Sequence, residues 1–111
     1  MTEIDISCLC NDLLSYLPTT YYTVPVDARV IVREVLLCNT SSVNDNTVTL
    51  HYVPAGDDLG PENMVLCELE IGPKETVALD FATVINEGGT IQGSAVYNAE
   101  VSLRVSGILV E

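Results

Sequence analysis

Short alternations of Val, Ile and Leu with polar residues, cut by Pro, Gly and Asn turns, run through most of this chain. In Thr47 to Val53 the pattern is strict: Val48, Leu50 and Tyr52 fall on one face and Thr47, Thr49 and His51 on the other. That is the period of two of a strand with one wet face. Tyr21-Tyr22-Thr23-Val24 before Pro25 predicts a short strand. Ala28 to Asn39 predicts a long one in which Val30, Val32, Val35 and Leu37 share a face if a bulge falls near Arg33-Glu34.

Further along, Val65, Cys67, Leu69 and Ile71 oppose Glu68 and Glu70, and the hairpin-type turn Gly72-Pro73-Lys74-Glu75 leads to Val77, Leu79 and Phe81. Asn86-Glu87-Gly88-Gly89 turns again. Ile91 and Ala95, then Val101, Leu103 and Val105, mark inward positions of two last strands. Pro54 to Asn63 is the longest loop. Seven or eight strands at the roughly 8 to 12-residue spacing of such folds predict an all-β chain: one antiparallel, jelly-roll-like β-sandwich.

Residues 1 to 18 read differently, as an N-terminal arm ahead of a sandwich domain over 19–111. Leu9, Leu13, Leu14 and Leu17 fit one face of a short helix that Asn11 or Asp12 would cap, and so short a helix must dock to be ordered. The first residues lack a basic stretch followed by an apolar one, and no run approaches the ~20 apolar residues that span a bilayer, so neither secretion nor a membrane is expected.

Length and charge narrow the picture. A chain of 111 residues is the size of one domain. It is 48% hydrophobic with a mean hydropathy of +0.33, which predicts apolar surface that meets another protein. Sixteen acidic residues against four basic ones, a formal charge of −12, repel phosphate backbones, so nucleic acid is not an expected partner. Two such chains also repel each other unless Arg29, Arg33, Lys74 or Arg104 pair with carboxylates across the contact.

Reactive groups do not converge in the sequence. A nucleophile needs a base beside it, yet the one imidazole, His51, sits on the polar side of an alternating strand. Cys8-Leu9-Cys10 lacks the second pair a zinc site wants, and Cys8, Cys10, Cys38 and Cys67 show no disulfide framework. Asp57, Asp58 and Glu62 lack the spacing of an EF-hand. Adjacent carboxylates such as Glu68 and Glu70 are expected by chance at this acidity. No catalytic residue, metal or cofactor is therefore expected. Tyr21, Tyr22 and Tyr97 could form a stacking platform for sugars, though packing at the core edge explains them as well.

Several phrases carry a resemblance: Tyr22-Thr23-Val24-Pro25 leading into Ala28 to Val32, Leu37 to Ser41, Val53-Pro54-Ala55-Gly56, Gly88-Gly89-Thr90-Ile91, and Val101 to Gly107. Over residues 19–111 the chain resembles the small all-β virion proteins of tailed bacteriophages, most of all the capsid decoration (cement or stapling) proteins of short-tailed phages. The resemblance implies a non-enzymatic protein that sits on the outer capsid, bridges major capsid protein subunits and stiffens the shell, with a second copy of itself, as a homodimer or trimer, as its other partner. The expected contact residues are Leu9, Leu13, Leu14 and Tyr16 in the arm, Tyr21 and Tyr22, Asp57 and Asp58 in the long loop, and Arg29, Arg33 and Arg104. The competing expectation is a receptor- or carbohydrate-binding module of a phage tail fibre or tail tip.

Overall fold

The computed structural model describes residues 4–111. Eight strands follow one another: β1 (Ile4–Leu13), β2 (Thr19–Thr23), β3 (Arg29–Asn39), β4 (Asn46–Val53), β5 (Met64–Ile71), β6 (Thr76–Ile85), β7 (Thr90–Ala95) and β8 (Val101–Val110). Among the described residues one 3-10 turn, Pro61–Asn63, is found, just before β5. Two four-stranded sheets form, one in the order β1-β8-β3-β6 and the other in the order β2-β7-β4-β5. All the pairings are antiparallel, and β1 pairs with β8, β2 with β7, β3 with β6 and β4 with β5. This is a long hairpin rolled up on itself, the jelly-roll sandwich that the alternation predicts.

Alternation builds the core directly. Val30, Val32, Val35 and Leu37 of β3 are fully buried, as are Val48 and Leu50 of β4 and Val101, Leu103 and Val105 of β8. Each such side chain contributes about 1.5–3 kcal/mol by leaving water. The expected bulge is present. Against β8 the register of β3 shifts between Val32 and Glu34, at the level where β1 shifts between Cys8 and Cys10. A crease thus crosses the sheet, and Gly107 lies beside it: a Cβ there would come within 2.3 Å of the Ile31 carbonyl oxygen.

Three expectations change. The short helix over Leu9 to Leu17 does not form, because β8 offers the backbone a ladder of partners from Ile4↔Val110 to Leu13↔Ser102. The leucines do not share one face either: Leu14 is fully buried and Leu9 packs on the core, whereas Leu13 and Leu17 are exposed. In β5 the register shifts twice and Glu68 takes φ +52°, so Leu66 packs on the core and Cys67 is exposed, the reverse of strict alternation. Finally, 72–75 is not a hairpin turn. It carries the chain from one sheet to the other.

Candidate interaction surface

Strand register decides which outward side chains meet. On the β1-β8-β3-β6 sheet, Ile6 lies opposite Ile108, Ile108 opposite Ile31, and Ile31 opposite Val84. One apolar row therefore crosses all four strands on the outer face. Ile6 is 82% exposed and Val84 56%. The next row towards the crease is polar, with Cys8, Ser106, Glu34 and Asp80. On the other side of the apolar row Arg29 pairs with Val110. A greasy line is thus flanked on β3 by a cation at one side and a carboxylate at the other.

The outer face of the β2-β7-β4-β5 sheet is different. Thr20, Gln92 and His51 are aligned across three strands, and Thr49 faces Ser94. His51 is half-buried there, and burial lowers its pKa despite the opposing charge of Glu62. No three His, Cys, Asp or Glu side chains among the described residues are placed to hold a metal ion.

A second apolar cluster caps one end of the sandwich. The β1–β2 and β7–β8 connections are bound together there: the Ala95 amide donates to the Ser15 carbonyl at 2.9 Å and the Ala99 amide to the Leu14 carbonyl at 2.9 Å. Buried Asn46 fixes the tip further, its side chain accepting from the Tyr97 amide at 3.1 Å and donating to the Tyr97 carbonyl at 3.0 Å. Tyr16, Leu17, Val96 and Tyr97 all stand exposed on this held backbone, Tyr16 by 60% and Tyr97 by 49%. Aromatic side chains carried on a fixed backbone lose little backbone entropy on docking.

The residues expected to make contacts are scattered by the fold. Leu13 and Tyr16 lie exposed near the tyrosine end, but Leu14 is in the core and Leu9 packs against it. Tyr21 accepts the Ser15 amide at 2.8 Å and Tyr22 packs on the core, so neither joins Tyr97 in a sugar platform. Arg33 is exposed at the crease, and exposed Arg104 sits between Asn11 and Leu36 on the outer face. Arg29 reaches the opposite end, in an open groove of about 420 Å³ shared with Asp27, Glu87 and Glu111. Asp57 and Asp58 are exposed in a loop that Asn63 organises by donating to the Asp58 carbonyl at 2.9 Å. Ile6, Ile31, Val84 and Ile108 were not expected. They come from four strands far apart in sequence, and only the register joins them.

No family model matches the chain, and no curated protein matches it in sequence. Solved virus-particle structures do match in shape. The T13 viral particle of IBDV aligns at 9% identity and TM-score 0.59, over 98% of this chain and 30% of that one. The infectious bursal disease virus Gx strain aligns at 12% and 0.54, over 99% and 32%. The VP2 subviral particle of that virus aligns at 13% and 0.51, over 98% and 32%. The likeness is one of fold. The chain spans about a third of the length of the chains it matches.

Proposed function

We propose that this chain is a non-enzymatic virion structural protein, a capsid decoration protein that binds the outer shell and bridges neighbouring major capsid protein subunits. The observation that carries the reading is the outward apolar row Ile6, Ile108, Ile31 and Val84 on a rigid sandwich. Monomeric soluble proteins rarely leave such contiguous apolar surface uncovered. The jelly-roll shared with virus-particle proteins supports the same role, as does a charge of −12, which disfavours the DNA side of a shell.

The row fits a second copy. A two-fold axis lying along it sets Ile31 on the partner's Ile31 and brings each Glu34 over the partner's Arg29, so the acidic and basic flanks complement each other twice. Four strands ~4.8 Å apart and ten residues long give a footprint of roughly 600 Å² per copy, close to the ~800 Å² per partner of a standard interface. The homodimer then presents two tyrosine ends, each with Tyr16 and Tyr97, to two coat subunits. Two tethered contacts hold far more strongly than one.

Undecorated shells mixed with the protein test the reading. Co-sedimentation in copy number comparable to the coat protein is expected, with a raised disruption temperature of the shell. A Tyr16→Ala, Tyr97→Ala variant should bind at least tenfold more weakly. A handful of copies per particle would sink the proposal and favour a tail module.

A further inference from the structure

The sandwich has four edge strands, β1 and β6 in one sheet and β2 and β5 in the other. A bare edge is a template for pairing with another chain, and proteins that avoid this guard it with short strands, bulges, charges or proline. Three of these edges are guarded. β2 has five residues with a register break between Thr20 and Tyr22. β5 breaks register twice and presents exposed Glu68 and Glu70. β1 breaks at Cys8/Cys10, carries Asp5 and Asp12, and is tied at its C-terminal end by Tyr21, whose hydroxyl accepts the Ser15 amide and donates to the Leu13 carbonyl.

β6 stands apart. Its ten residues contain no Lys, Pro or Gly and one charge, Asp80. Its single register break falls between Asp80 and Thr83, which leaves Thr76 to Asp80 regular. The adjoining flank is also open: Val77 and Leu79 of β6, with Val65, Leu66 and Leu69 of β5, pack on the core but are only half-buried.

We propose that the free edge of β6 over Thr76 to Asp80 takes an added strand from a shell subunit, an extended segment that alternates apolar and basic residues. Backbone hydrogen bonds to β6 supply the affinity, and every second side chain of the guest covers the half-exposed Val77 and Leu79 and closes the flank. The guest's intervening side chains run along the outer side of the edge past Asp80, the one charge of β6, on a chain of net charge −12, so the side chain that meets Asp80 is Lys or Arg. This inference deepens the shell-binding reading by naming what the shell provides.

The test uses the full chain and a ten-residue peptide alternating Lys and Val, with a Glu-Val peptide as the control. The Lys-Val peptide should slow amide exchange at least tenfold across Thr76 to Asp80, and the Glu-Val peptide should not. Ala78→Lys and Asp80→Lys, both at exposed positions, should weaken binding at least tenfold without moving the thermal midpoint. Slowing confined to β1 or β5, no slowing anywhere, or full binding by Ala78→Lys would overturn strand addition. Shells separate the two proposals. If the protein co-sediments with undecorated shells while its β6 amides exchange as in the free protein, strand addition is wrong and shell binding stands. If β6 takes the peptide but the protein ignores shells, a shell subunit is the wrong source of the strand.

Discussion

The two outer faces of the sandwich come from the same alternation and end up with opposite characters. One sheet turns Thr20, Thr49, Gln92 and Ser94 to solvent, and the other turns Ile6, Ile31, Ile108 and Val84. Inside, both faces are equally apolar, since each sheet must fill the shared core. The contrast therefore lies in what each sheet does with the positions folding leaves free. A face with no stability reason to be greasy, yet greasy along a continuous row, is built for contact.

The largest effect expected on either sheet is at its buried glycine. A Cβ on Gly107 would sit 2.3 Å from the Ile31 carbonyl oxygen, so strand β8 itself must move, whereas on Gly93 it would first meet the far end of a side chain, the Cδ2 of Leu50 at 2.5 Å, with the nearest backbone atom, the Thr49 carbonyl oxygen, at 3.2 Å. Gly107→Ala should cost about 3 kcal/mol, and Gly93→Ala distinctly less, as in other overpacked cores. Urea melts of the two variants check this. Equal losses would show that the crease at Gly107 has more room than its backbone contacts indicate.

Breaking the apolar row comes next. Ile31→Glu places two carboxylates against each other across the proposed two-fold axis, a cost of about 2 kcal/mol or more that weakens the dimer roughly thirtyfold. Thr49→Glu on the wet face should leave the sedimentation coefficient of the assembly unchanged. Equal behaviour of the two variants would erase the distinction between the faces. A smaller effect is expected for Arg29→Glu. That change loses two exposed ion pairs per dimer, about 1 kcal/mol in total, and the loss should fade as salt rises. Combining it with Glu34→Arg should restore the dimer, because the flanks are then exchanged and not removed.

How much of this was legible before folding depends on how local each signal is. The bulge in β3 was readable because the slip from Val30 and Val32 to Val35 and Leu37 is written within one strand. β1 was not. There Leu9 and Cys10 both turn toward the core at a register break, which destroys the alternation and leaves leucines at helical spacing. Cys67 was misplaced for a similar reason, since the left-handed Glu68 resets the faces of β5. The contact surfaces were the least legible. Ile6, Ile31, Val84 and Ile108 become neighbours only through pairing of four distant strands, and Tyr97 reaches the Tyr16 end only through contacts distant in sequence, the Ala95–Ser15 and Ala99–Leu14 hydrogen bonds and the hold of Asn46.

The smallest effect sharpens the wet face. His51, aligned with Gln92 there, has its pKa lowered chiefly by burial, against the pull of Glu62. A base with a lowered folded pKa binds its proton more readily when unfolded. Its neutral form therefore adds stability that is whole above the unfolded value near 6.5 and is lost as the pH falls through and below it. Every other ionisable group is common to the two proteins compared, so the difference between wild type and His51→Gln isolates the imidazole. The wild type should lose more of its thermal midpoint between pH 7.5 and 5.5 than His51→Gln does, by about 1–2 °C for a few tenths of a kcal/mol. Parallel curves would mean that the histidine is as free in the fold as in the unfolded chain, and that this face is wetter still than its packing suggests.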